Sequence, residues 1–257
     1  MKILITGTTQ GIGQAIALHF LSNGHDVIGI DRLESGIEHA NYTHYRCDVR
    51  DYDNLPDIPD RTAHVLDPSK ESPVPRLTAA AKQLESLGAC CIAVPCVTSH
   101  CFYEELAASV NIPWLNAVDE TAAMLKKLGV KKAGILATSG TIATGLFQNA
   151  LEKAGIGWAV PEEQDKVMHL IYNNVKAGLP PEMELFYSVS EQLRAEGCEM
   201  LILGCTELSL IKRDRPIGPG YLDVLEVLAR ASVLECGKPL HPAYELLGQQ
   251  GTESREN

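Results

Sequence analysis

The sequence predicts an α/β fold: two similar parallel-sheet half-domains with a site in the cleft, the first half begun by a Rossmann-like β-α-β segment. Three observations predict it. Short unbroken apolar runs recur between stretches of helical period, as parallel strands buried on both faces require. Two of these runs, Ala89-Cys90-Cys91-Ile92-Ala93-Val94 and Met200-Leu201-Ile202-Leu203-Gly204, lead into a cysteine, Cys96 and Cys205, and then a helix start. The chain also opens on a strand, a glycine-rich turn, a helix and a second strand. Open α/β sheets bind ligands at the carboxyl ends of their strands, so the two cysteines stand where chemistry is expected.

Residues 1–50 read as a unit of their own. Lys2-Ile3-Leu4-Ile5-Thr6 is a strand, Gly7-Thr8-Thr9-Gln10-Gly11-Ile12-Gly13 a turn, and 14–23 an amphipathic helix stopped by Gly24. Asp26-Val27-Ile28-Gly29-Ile30 is the second strand, ending at Asp31. Gly7, Gly11 and Gly13 would let the backbone approach a pyrophosphate at a helix amino terminus, and Asp31 would accept from a ribose hydroxyl. A helix over 73–87 precedes the Cys96 run. Trp114-Leu115-Asn116 is a short strand, and 120–128 a helix ended by Gly129. Ala133-Gly134-Ile135-Leu136-Ala137 is a strand entering the turn Thr138-Ser139-Gly140-Thr141. Helices follow over 146–154, over 182–196 before the Cys205 strand, and over 222–234. The polar end, 248–257, is expected to fray. This order assigns 1–116 with 206–240 to the first half, 117–205 to the second, and 241–257 to a tail.

Composition narrows the function. A formal charge of −11 argues against a nucleic-acid or anionic-membrane surface, either of which would want a basic patch. The 45% hydrophobic content supports a real core. No apolar run nears the roughly 20 residues of a membrane span, and the amino terminus enters a strand directly rather than a signal peptide. Eight cysteines without a secretory signal point to free thiols in a reducing, cytoplasmic compartment. No metal site is expected: Cys90 and Cys91 are adjacent, and Cys96 to Cys101 lacks a second paired knuckle. Cys47, Cys90, Cys91, Cys101, Cys198 and Cys236 are expected to be buried small hydrophobes.

Thr6-Gly7-x-x-x-Gly11-x-Gly13 resembles the short-chain dehydrogenase/reductase family, as does Tyr45-Arg46-Cys47-Asp48-Val49 at its third strand. That resemblance implies NAD(P) at the glycine loop, but it stops near Asp51. Tyr172-Asn173-Asn174-Val175-Lys176 has the Tyr-x-x-x-Lys spacing without the upstream serine, so it reads as two residues one turn apart on a helix. From Ile58 onward five ordered motifs resemble the aspartate/glutamate racemase superfamily, the aspartate racemase branch in particular. They are Ile58-Pro59-Asp60-Arg61-Thr62, Pro95-Cys96-Val97-Thr98-Ser99-His100, Leu136-Ala137-Thr138-Ser139-Gly140-Thr141, Gln164-Asp165-Lys166-Val167 and Leu203-Gly204-Cys205-Thr206-Glu207-Leu208. The resemblance implies a cofactor-independent (PLP-independent) racemase, an isomerase of aspartate or a similar acidic amino acid, expected as a homodimer, with Cys96 and Cys205 catalytic. Arg61 and Lys166 would then hold a side-chain carboxylate, with Thr98, Ser99 and Thr206 near the substrate.

The chemistry suits the residues. Racemisation removes the Cα proton from one face and returns one on the other, so it needs two opposed groups, one a thiolate and one a thiol. A thiol's ordinary pKa of about 8.5 makes both states accessible, and a helix amino terminus is expected to lower it. The hydroxyls and amides of Thr138-Ser139-Gly140-Thr141 are expected to make an anion nest for the carbanion-like state. His100 and Glu207 could assist proton transfer or cap helices. Two departures stand out: Val97 replaces the asparagine usual after the first cysteine, and the family's opening glycine-rich strand-loop gives way to the dehydrogenase-like segment. The alternatives are an NAD(P)-binding oxidoreductase, a related isomerase or decarboxylase, and a silent binding protein.

Overall fold

The computed structural model describes residues 2–6, 8–46 and 58–240, with Pro242, Glu245, Leu247 and Gly248. The fold is α/β with parallel sheets, in two compact units: Met1–Ile58 with Ser86–Ala89, and Pro59–Glu85 with Cys90–Asn257.

The first unit holds β1 (Lys2–Thr6), α1 (Gly11–Ser22), β2 (Asp26–Asp31) and β3 (Tyr42–Arg46), in a parallel sheet of order β1-β2-β3. Its small core is Ala17, Leu21 and Val27, flanked by Ile5, Phe20, Ile37 and Tyr42. Gly29 leaves room for the Tyr42 side chain, whose hydroxyl crosses over it to donate to Thr8 Oγ1 at 2.9 Å. The third strand begins at Tyr42, three residues before its sequence pattern, with Tyr42 registered on Val27. Gly7, Cys47, Asp48 and Val49 lie outside the described residues.

The second unit opens with α2 (Arg61–Leu66) and α3 (Val74–Ser86). A 3₁₀ turn, Val97–Phe102, runs into α4 (Tyr103–Ala107), and α5 (Ala117–Lys127) follows. Then come β4 (Lys132–Leu136), α6 (Ser139–Ala143), α7 (Leu146–Ala154), β5 (Gly157–Ala159) and α8 (Gln164–Met168). A π-helical turn, His169–Val175, precedes α9 (Met183–Ala195), β6 (Met200–Leu203), α10 (Thr206–Asp214), β7 (Tyr221–Asp223) and α11 (Val224–Glu235).

The sheet is parallel throughout, in the order β5-β4-β6-β7. Its period-2 alternation sorts the core. Ala133, Ile135 and Ile202 face Val118, Leu125, Phe147, Leu151 and Val227 of α5, α7 and α11. Leu136, Leu201 and Leu203 face Leu170, Phe186, Val189, Leu193 and Ile211 on the other side. Helices thus cover both faces, which explains why β4 and β6 read as continuous apolar runs.

Three expectations are corrected here. The run before Cys96 is not a strand buried on both faces: it makes one parallel bridge, Ile92 to Trp114, while Ala93 and Pro95 are exposed. Pro95 has no N–H to extend a ladder. The helix predicted from 222 begins at Val224, because Tyr221–Asp223 is an edge strand and Asp223 caps the helix through Leu225 N at 2.9 Å. Of the cysteines expected to be buried, Cys198 is; Cys90 is exposed, and Cys91, Cys101 and Cys236 are half-buried. Among the described residues no helix is long and apolar enough to cross a membrane.

Candidate active site

The second unit contains a cavity of about 90 Å³ lined by both Cys96 and Cys205. Each reaches it from the start of a helical turn. Cys96 immediately precedes the 3₁₀ turn and accepts from Ser99 N through its carbonyl at 3.0 Å. Val97, Thr98, Ser99 and His100 of that turn are buried, which fixes the backbone behind the cysteine. Cys205 lies at the amino end of α10, its extended backbone leaving β6 and its carbonyl accepting from Leu208 N at 3.0 Å. Gly204, just before it, packs so closely on Phe147 and Ala137 that any side chain there would have to displace them.

The two thiols have unlike partners. Cys205 Sγ donates to Glu207 Oε2 at 2.8 Å, and Thr206 Oγ1 donates to the same oxygen at 2.8 Å. Burial first, then the Glu207 charge, pushes the Cys205 thiol well up, so it holds its proton. The expected lowering by a helix amino terminus is overturned at this cysteine: desolvation and a carboxylate two residues on outweigh the helix end. Burial alone would raise Glu207, yet the hydrogen bonds from Cys205 and Thr206, with Lys176 nearby, hold its carboxyl below the usual range.

Cys96 instead faces a cation. Arg61 is the first residue of α2, whose cap Asp60 accepts from Ala63 N at 2.9 Å. Burial alone would lower the Arg61 pKa, but the charge and hydrogen bond of Cys96 outweigh it, and the guanidinium is held above its ordinary value.

The remaining predicted residues divide. Thr98, Thr138 and Thr206 line the cavity with the cysteines and Arg61. Thr141 stands behind them: its hydroxyl lies 3.0 Å from that of Thr98 and 3.1 Å from that of Thr138, closing a buried triangle of hydroxyls. Thr138 also caps α6, accepting from Thr141 N. Gly140 serves as a packing surface, where Thr62 of α2 comes too close for any side chain. Ser99 and Ser139 are not among the lining residues; Ser139 N donates to Met168 Sδ at 3.2 Å. Lys166 is also outside the lining, its ammonium paired with Glu163 at 2.5 Å and near Ser188 Oγ at 3.3 Å. His100 is 3% exposed, and its Nε2 accepts from Ala117 N at 3.3 Å.

Tyr172, Lys176 and Glu207 line the cavity where sequence reasoning gave them surface or uncertain roles. Lys176 Nζ does sit over the Tyr172 ring, 4.4 Å from its centroid, as a pair one turn apart would. The missed feature is the π-helical turn: Lys176 N bonds Ile171 O at 2.9 Å, an i to i+5 link that redirects this face. The Tyr-x-x-x-Lys spacing was the available signal. Among the described residues no trio of metal-ligating side chains converges on this cavity.

In the first unit, Gly11 and Gly13 occupy the first turn of α1. Asp31, at the end of β2, accepts from Thr9 N at 3.0 Å, Thr9 Oγ1 at 2.7 Å and Leu33 N at 3.1 Å. The Thr9 and Leu33 bonds hold its pKa down to about 2. Its own loop thus fills three of the carboxylate's roughly four acceptor positions.

The Asp/Glu/Hydantoin racemase family pattern matches residues 37–231, and a short chain dehydrogenase pattern matches residues 1–66. A solved structure of Picrophilus torridus aspartate racemase is 28% identical, with a TM-score of 0.64 over 96% of this chain and 97% of that one. The broad specificity amino-acid racemase RacX of Bacillus subtilis (strain 168) is 28% identical over 137 residues, 51% of this chain and 58% of its own. The glutamate racemase of Aquifex aeolicus (strain VF5) is 30% identical over 151 residues, 57% of each chain.

Proposed function

The chain belongs to the Asp/Glu/Hydantoin racemase family, and on that premise we propose that it inverts a small amino acid, aspartate or a similar acid, at Cα. Cys96 and Cys205 exchange thiolate and thiol roles. In one direction the Cys96 thiolate takes the Cα proton and the Cys205 thiol delivers its own proton to the opposite face. Cys96 then carries a thiol and Cys205 a thiolate, ready for the other hand. No organic cofactor enters this balance.

The observation that carries the reading is the pairing of two unlike thiols on one cavity, one bonded to Arg61 and the other to Glu207. Arg61 and Lys176 supply positive charge for carboxylates, and the hydroxyls of Thr98, Thr138 and Thr206 supply donors. Lys176 takes the place that the resemblance assigned to Lys166. Val97, 4% exposed, contributes a wall without donor or acceptor. The same reading takes Cys96 from the predicted half 1–116 with 206–240 and Cys205 from 117–205, although β7 and α11 of 206–240 pack with the sheet of the second.

The test is solvent deuterium exchange at Cα of L- and D-aspartate and of L- and D-glutamate, followed by NMR. Wild type exchanges an acidic amino acid of both hands. Cys96→Ala and Cys205→Ala each lose about 10²–10⁴-fold, the usual contribution of a positioned acid or base. Inversion at the wild-type rate in either variant would sink the two-thiol mechanism.

A further inference from the structure

Away from this cavity a second group of thiols converges. The sulfurs of Cys90, Cys91 and Cys236 all lie within 4.8 Å of one another, and Cys90 Sγ is 3.6 Å from Cys236 Sγ. Residue spacing concealed the group. Cys236 closes the carboxyl end of α11, 146 residues after Cys90. Neighbouring side chains in an extended strand point to opposite faces, which is why an adjacent pair reads as poor ligands. The chain bends at Cys90 before the Ile92 bridge, and the bend brings both sulfurs to one side.

We propose that Cys90, Cys91 and Cys236 bind one thiophilic d¹⁰ cation of the zinc or copper(I) class. Three sulfurs around one such ion at about 2.3 Å stand about 3.8–4.0 Å apart, from tetrahedral to trigonal arrangement. The observed separations bracket that value with only small side-chain adjustment. Thiolates are the soft donors these ions select. Without an ion the group is poorly satisfied. S–H is a weak donor. Binding displaces the three thiol protons to solvent and transfers no electrons, so affinity falls as pH falls. The ion would tie the carboxyl end of α11 to the segment that reaches Cys96 six residues later.

The experiment uses the reduced, metal-free full chain titrated with Cd²⁺, whose bonds to thiolate give an ultraviolet charge-transfer band, and with Zn²⁺ in competition. The expected result is a band saturating at one Cd²⁺ per chain, reversed by Zn²⁺ and retained when Cys96 and Cys205 are both serine. Cys90 is exposed, so Cys90→Ser leaves the core packing intact. Cys90→Ser and Cys236→Ser should each weaken binding beyond the about 10- to 100-fold that follows from disturbing only an outer-shell partner. No band, or a band unchanged in both variants, overturns the site. So does a Cys90–Cys236 disulfide that forms in air, is seen by mass as the loss of two hydrogens, and persists when Cd²⁺ is supplied with reductant.

Discussion

Cys205 and Glu207 form the most informative pair of side chains in the molecule. A carboxylate that accepts from a buried thiol raises the cost of ionising that thiol and lowers its own affinity for protons. Glu207→Gln removes the charge while leaving an acceptor. Alkylation of Cys205 by iodoacetamide should therefore begin at lower pH in the variant, though still above the ordinary thiol range because burial remains. An unchanged alkylation profile would show that the carboxylate does not govern the thiol. Much at this scale was legible: Cys96, Cys205, Arg61, Thr98, Thr138 and Thr206 carry family spacing and meet at one cavity. Lys166 and Lys176 show what was not. Both are lysines on one helical stretch, and only the π-helical turn between them decides which one lines the cavity.

At the level of elements, α2 and α6 set the position of Arg61. Gly140 in α6 admits the backbone of Thr62, with an added Cβ only 3.2 Å from the Thr62 Cα. Gly140→Ala must push α2 outward, at a cost of about 1–3 kcal/mol typical of overpacking. Chemical denaturation should register that loss, and kcat/KM should fall with it because Arg61 adjoins Thr62. Full stability and full activity together would mean that α2 yields freely. The longer helices were mostly legible because periodicity needs length: α3, α5, α7 and α9 lie within a few residues of their predicted bounds, whereas for α10 only the start was. The three-residue strands β5 and β7 show no period, and their pairing depends on neighbours distant in sequence.

For the molecule as a whole, the parallel sheets and the separate amino-terminal unit follow from the pattern of apolar runs and glycines. The Cys96 segment makes one bridge where its apolar run predicts a full strand, because such a run does not reveal how many partners it has. Stability should depend on pH through His100, which burial holds neutral down to about 4 in the fold. An unfolded histidine titrates near 6.5. Between these values the unfolded chain binds the extra proton, so stability is complete above the window and declines as pH falls through it. At about 1.4 kcal/mol per unit, the decline is on the order of 3 kcal/mol. Urea midpoints measured across the window should drop less in His100→Gln than in wild type; parallel curves would remove His100 from the account. The proton kept on Cys205 has one last consequence. Mirror-image substrates have equal free energies in water, so the two values of kcat/KM must match whatever the protein does. Under the reaction proposed above, a protein prepared for one enantiomer can express that preference only by trading turnover against saturation: one hand turns over faster and saturates later, the other slower and sooner.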